Sequence, residues 1–251
     1  MQAKQLVSLF AITLAICISS PYAVKAGSPS PTTSTTGAAS VKGVVRFEGT
    51  VPKSKLISMS ADPSCAKQHP SPVFAEEVTT DSKGDLQNVI VFVSEGLGDR
   101  TFDAPTEPVV VEQKGCMYMP HVLAVRANQT LHLVNDDPTS HNIHPTPANN
   151  REWNKAELPG STMDETFSRP EIAIPVKCNI HPWMRGYIAV FKHPYFAVTG
   201  KNGSFDLSNL PPGTYVIEAW HEKLGTATQK ITIGASETKN LDFVFKSKPG
   251  V

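Results

Sequence analysis

From residue 41 onward no stretch of the chain sustains a helical period; the sequence is instead a succession of short β-type runs broken by Gly, Pro, Asn and Asp. The runs begin with VKGVVRFEG (41–49), QNVIVFVSEG (87–96), VVVEQ (109–113), VLAVR (122–126) and TLHLVND (130–136). They continue with EIAIPVKC (171–178), YIAVF (187–191), GSFDL (203–207), TYVIEAW (214–220), QKITIG (229–234) and LDFVF (241–245). Strands this short at this spacing predict an all-β chain built of sandwiches or a barrel. In 196–217, Phe205 and Leu207, then Tyr215 and Ile217, fall on one face, with Asn202–Gly203 and Pro212–Gly213 as turns. Two connections are long, 50–85 and 137–169, and long connections in a compact domain are often functional.

The first residues lie outside any core. Lys4 precedes the apolar run LVSLFAITLAICI, and Val24 and Ala26 are small residues before a cleavage point, so 1–26 is expected to be a secretory signal peptide. An acylated Cys17 is disfavoured by Ile16. Residues 27–40, GSPSPTTSTTGAAS, hold no apolar side chain larger than alanine and read as a linker. No later run is apolar for long enough to span a bilayer, so the expected product is periplasmic or secreted. With 23 basic and 23 acidic residues and no basic cluster interleaved with aromatics, nucleic acid is excluded as an expected partner.

Of four cysteines, Cys17 leaves with the signal, and Cys65, Cys116 and Cys178 remain in an oxidising compartment. If Cys65 and Cys116 pair, Cys178 is left as a free thiol, which an exported protein keeps for reactivity or for a metal. Cys178 opens the segment CNIHPWM, which places a thiol, an imidazole (His181) and a thioether (Met184) at equal spacing between two strands. Upstream, in VNDDPTSHNIHP, Pro138 breaks a strand and His141 follows on the expected loop. Two imidazoles, one thiolate and a weak thioether form the ligand set of a blue copper site.

These two segments, NDDPTSHNIH and CNIHPWMRGYIAVF, resemble the cupredoxins, and the short Cys-x2-His-x2-Met loop with Pro182 is similar to that of amicyanin. The resemblance covers about residues 106–192. It implies a Greek-key β-sandwich with one mononuclear Cu: His141, Cys178 and His181 equatorial, Met184 axial. It also gives Asn142 a supporting part, its backbone N–H toward the cysteine sulfur and its side chain tying the two ligand loops. Pro182 and Trp183 suggest an apolar patch around an exposed edge of His181, suited to brief docking of a redox partner.

Other histidines compete. His144 lies three positions from His141, and in extended chain such positions face opposite ways. His121, in MYMPHV, reads as a surface or core-edge residue, or as part of a second site with Cys116, Met117, Met119, Cys65 and His69. His221 reads as a surface residue. Zinc would use the same Cys and His side chains, but Met184 favours copper. Catalysis by Cys178 with His181 as base lacks an orienting Asn or Asp.

Residues 196–220 resemble the carboxypeptidase regulatory-like module, a transthyretin-like β-sandwich. The segment 193–247 is thin for a free-standing core, so the N-terminal β segment 41–105 is expected to complete it or the module to pack on the copper domain. The chain is therefore expected to be an exported electron carrier and not an enzyme. A non-redox carbohydrate- or protein-binding sandwich and a copper storage or delivery protein are the alternatives.

Overall fold

The computed structural model describes residues 37–247. The chain forms β1 (Ala39–Glu48), β2 (Leu56–Ile57), one helical turn α1 (Pro63–Ala66), β3 (Val73–Phe74), β4 (Ile90–Glu95), β5 (Val109–Lys114), β6 (Met117–Met119), β7 (Val122–Arg126), β8 (Leu131–Asn135) and β9 (His141–Pro145). It continues with β10 (Lys155–Glu157), β11 (Thr162–Glu165), β12 (Glu171–Lys177), β13 (Arg185–Phe191) and β14 (Phe196–Val198). The last strands are β15 (Ser204–Leu210), β16 (Gly213–His221), β17 (Gly225–Ile233), β18 (Thr238–Asn240) and β19 (Phe243–Lys246). The fold class is all-β. The expected signal peptide, 1–26, and most of the expected linker lie outside the described residues, but Ala39 and Ser40, expected in the linker, open β1.

Both ends of the described chain build one sandwich. β1 pairs with β15 on one side and, on the other, first with β18 and then with β19. This sheet faces a second one in which β4 lies between β14 and β16, with β17 beyond. Val41 and Phe47 of β1, Val91 and Val93 of β4, Leu207 of β15 and Ile217 of β16 meet in the core between them. The hydroxyl of Tyr215 donates to the Pro211 carbonyl at 2.7 Å, fixing the turn into β16.

Residues 109–191, inserted between those strands, form a second sandwich. Its sheets run β10-β9-β12-β13-β7 and β11-β8-β5-β6, and Leu131, Leu133, Ile143, Ile174 and Ile188 lie between them.

The runs of β4 and β13 are continuously apolar because each strand is buried on both faces. Val91 and Val93 enter the first core and Ile188 and Val190 the second. Ile90 and Phe92 meet Val122, Ala189 and Phe191 where the two sandwiches pack back to back. The Phe92 and Phe191 rings are 5.0 Å apart. Burial stabilises each of the larger side chains here by roughly 1.5–3 kcal/mol, which couples the sandwiches.

His221 is not the surface residue its sequence neighbours suggested: it is buried at the end of β16. Its Nδ1 accepts the N–H groups of Lys223 and Leu224 at the turn into β17. His193 is buried too. Burial holds both imidazoles down at about 4, with the Arg126 cation adding to the effect at His193 and His121 at His221. The unfolded chain protonates near ~6.5, so between that pH and 4 the unfolded state binds protons that the folded state refuses. This stability is complete above the unfolded value and is lost as pH falls through the folded one. From pH 7 to 5 each ring costs on the order of 2 kcal/mol, partly offset by His121 and His141, whose protonation folding favours. Reprotonation of the Cys178 thiolate adds to the loss, so urea unfolding of the metal-free protein is expected to show a lower midpoint at pH 5 than at pH 7; equal midpoints at the two pH values would contradict it.

Candidate metal centre

The ligand loop is a closed turn between two paired strands. Lys177 of β12 faces Arg185 of β13. Inside that pair, the Cys178 N–H donates to the Met184 carbonyl at 3.0 Å and the Met184 N–H to the His181 carbonyl at 2.9 Å. The spacing seen in the sequence therefore turns Cys178, His181 and Met184 into one buried cluster, each at most 3% exposed. The His181 N–H points at Cys178 Sγ, 3.4 Å away.

His141 is fully buried and is the first residue of β9, not a loop residue as expected. Strand pairing of His141 with Glu157 of β10 extends the ladder up to His141, despite Pro138 three residues before it. Alternation along β9 sends His144 elsewhere: its Nδ1 meets Asn179 at 3.1 Å and its Nε2 meets Glu152 at 2.7 Å. Asn142 ties the loops, its Oδ1 accepting the Asn179 N–H at 2.8 Å and lying 3.4 Å from Cys178 Sγ.

His141, Cys178 and His181 bring their ligand atoms within 4.8 Å of one another. The Nδ1 atoms of His141 and His181 face each other at 2.9 Å, while both Nε2 atoms point away to carboxylates. Asp137 Oδ2 is 2.8 Å from His141 Nε2, and Asp62 Oδ2 is 3.0 Å from His181 Nε2. An outer carboxylate fixes each ring with its proton outward and its lone pair inward, and raises the basicity of the inner nitrogen. Two inward lone pairs at that separation need a shared proton or a cation.

The charges agree with the geometry. Burial raises the Cys178 thiol, but His141 and the N–H groups of Asn142, His181 and Ile180 overcome this and bring it to about 6. Burial likewise opposes charge on His141, yet Asp137 and the Cys178 sulfur raise it to about 9. The hydrogen bond from His181, with the N–H groups of Ser64 and Cys65, draws Asp62 down to about 2. These contacts favour the thiolate, which is the form that binds metal. Two imidazole nitrogens and a thiolate, with the Met184 thioether buried in the same core, fit copper.

The expected exposed edge of His181 does not exist. The ring is 2% exposed because the 50–85 connection folds over it as a lid made of β2, α1 and β3. Asp62 caps α1 by accepting the N–H groups of Ser64 and Cys65, with Pro63 at the first helical position. Its second oxygen holds His181 and accepts from Thr139 Oγ1 at 3.2 Å. The lid is stapled to the turn between β5 and β6 by a disulfide, Cys65–Cys116. Trp183 lies under it, its ring 5.1 Å from that of His181 and its Nε1–H bonded to the Cys116 carbonyl.

The second site around Cys116 and His121 is not assembled. Cys116 is in the disulfide, His121 Nε2 meets Glu222 at 2.5 Å, and His69 meets the Gly115 carbonyl at 2.7 Å. Asp62 and Asp137 are the site residues that sequence reasoning missed. Asp137 stands in NDDP close to the candidate ligand His141; Asp62, in DPSC, carries only the signature of a capped helical turn.

Comparison with known proteins gives two partial likenesses. The family model for the carboxypeptidase regulatory-like domain matches residues 188–246, starting inside β13. No curated protein matches. Among solved structures, the chain is similar to the copper-containing nitrite reductase of Thermus scotoductus SA-01, with 21% identity over 40% of this chain, 26% of that one and a TM-score of 0.33. It is similar to a Cu(I) form of an amicyanin mutant, with 19% identity over 40% of this chain, 98% of that one and a TM-score of 0.31. A purple cupredoxin from Nitrosopumilus maritimus has 21% identity over 33% of this chain, 98% of its own length and a TM-score of 0.29.

Proposed function

We propose that the protein is an exported mononuclear copper protein that carries electrons between partners. The observation that carries this reading is the orientation of the two histidines. The two inner nitrogens face each other beside the Cys178 sulfur, 3.8 Å from the His181 one, and both outer nitrogens are anchored by carboxylates. In this reading His141, Cys178 and His181 hold the metal equatorially, and Met184 stands axial. Bound copper would supply the Cu(I)/Cu(II) couple. The protein's own contribution is a rigid, dry and pre-ionised pocket that changes little between the two charge states. No ligand is more than 3% exposed, which leaves no room for a substrate at the metal and favours a carrier over an enzyme.

The sealed His181 moves the expected electron exit to Trp183. Its indole touches the His181 ring, and the adjacent Pro182 is exposed. The redox partner would dock there. A disulfide-stapled chain suits an oxidising compartment, which agrees with the signal-like N-terminus. Among the described residues no helix is long and apolar enough to cross a membrane.

The deciding experiment is the visible and EPR spectrum of the Cu(II)-loaded protein beside Cys178→Ser. An intense thiolate charge-transfer band near ~600 nm, lost in the variant, is the expected result. A colourless loaded protein, or a band that survives in the variant, overturns the reading and moves the search to the first sandwich as a non-redox binding module. The closed lid also suits copper storage, and that reading differs in predicting copper release that is not coupled to electron transfer.

A further inference from the structure

Beneath the lid, Met59, Cys65 and Cys116 are buried together, with Met117 half-buried against them, so four sulfur-bearing side chains pack in one cluster. That cluster backs onto the outer side of the metal centre. Cys65 Sγ lies 3.7 Å from His181 Nε2. Asp62, Cys65 and His181 bring their ligand atoms within 4.8 Å of one another, and Cys116, Asp137 and His141 do the same. The disulfide joins the two sets, each with a cysteine sulfur, a carboxylate and an imidazole. A bond whose sole task was to staple the lid would need no such company.

We propose that the reduced form of this pair is a second copper site, in which the thiolates of Cys65 and Cys116 take one Cu(I) separately from the Cys178 centre. Thiolates and thioethers are the soft ligands that select Cu(I), and Met59 and Met117 add two thioethers to the same cluster. Asp62 and Asp137 stay on the outer nitrogens of His181 and His141, so the first centre keeps its anchors. Opening the site consumes two electrons. A cellular dithiol supplies them by exchange and becomes a disulfide itself. A phosphine supplies them in the test tube, taking the oxygen of one water to become the phosphine oxide while its two hydrogens complete the thiols. Binding of Cu(I) then releases the two thiol protons. Oxidised, the chain holds one copper; reduced, it holds two.

The test is a Cu(I) count by competition with a chromophoric chelator, with metal analysis of the desalted protein. The oxidised protein is expected to retain one copper, and the phosphine-reduced protein two. Cys65→Ser/Cys116→Ser should retain one whether or not phosphine is present, its fold checked by circular dichroism. Should that variant fail to fold, reduced Cys178→Ser carries the test: it is expected to keep one Cu(I), with sulfur neighbours in X-ray absorption. A reduced wild-type protein that holds a single copper, or a reduced Cys178→Ser that holds none, overturns the proposal. Oxidised Cys178→Ser that still holds copper would instead overturn the reading of the first centre and leave this one standing.

Discussion

Asp137→Ala is expected to lower stability by about 3–5 kcal/mol and copper affinity by about 10- to 100-fold, because one buried carboxylate serves both the fold and the metal centre. Its Oδ1 takes the Gly115 N–H and its Oδ2 the Cys116 N–H, each at 2.7 Å, and Oδ2 also takes His141 Nε2. Gly115 and Cys116 form the two-residue turn between β5 and β6, both in the left-handed region at φ 62° and 55°. Those N–H groups point inward, away from the strand ladder, and water does not reach them. Alanine would leave two backbone donors and an imidazole buried without partners, and the turn that carries the disulfide would lose its anchor. Asp137→Asn keeps the shape but turns an amide N–H toward one of the donors, so it should fall between. Asp62→Ala is the informative contrast. Asp62 is 22% exposed at its side chain, so its loss should cost about 1–2 kcal/mol of stability, mostly the helix cap, while copper affinity falls as for Asp137. Urea midpoints and Cu(II) competition titrations on the three variants separate the roles. Equal stability losses for Asp62→Ala and Asp137→Ala would refute the distinction.

The candidate loop was legible because its chemistry is local: three soft donor side chains at fixed spacing meet on one closed turn. His141 was legible as a member of the candidate site but not as a strand residue. The turn residues of NDDPTS mask the fact that β9 starts at the histidine itself, held there by pairing with β10, which has no period of its own in the sequence. The lid was illegible for a related reason. Its strands are two residues long and its helix is a single turn, so what shapes it is a disulfide and one aspartate whose partners lie far along the chain. His221 is different, because alternation already carried the answer. Tyr215, Ile217 and Ala219 face the first core, and one more step of the same period puts His221 there as well. Charged neighbours, Glu218 and Glu222, drew the reading toward the surface.

Gly43 supports the other large prediction, and it concerns the seam on which the first sandwich closes. β1 changes partner along its length, from β18 at Lys42 to β19 at Val45. The crossing chain passes over Gly43: the Leu241 N–H donates to the Lys42 carbonyl, and Asp242 Oδ1 accepts the Val44 N–H at 2.9 Å. A Cβ at position 43 would lie 1.8 Å from the Leu241 carbonyl oxygen and 2.9 Å from the Phe205 ring. Backbone cannot yield as a side-chain tip can, so Gly43→Ala must push residues 241–242 off β1 and break the hydrogen bonds on both sides of the crossing. The expected cost is about 3 kcal/mol or more, which for a chain of this size lowers the melting temperature by about 6–12 °C. Gly200→Ala is the control, since a Cβ there meets nothing within 4 Å; its effect should stay within about 0.5 kcal/mol or be slightly stabilising. Because β4 and β13 pack the two sandwiches back to back, the weakened first sandwich should take the proposed copper centre with it. Loss of the thiolate band and loss of far-ultraviolet ellipticity are expected at one temperature in Gly43→Ala. Two separate transitions would mean that the shared cluster around Phe92 and Phe191 does not couple them.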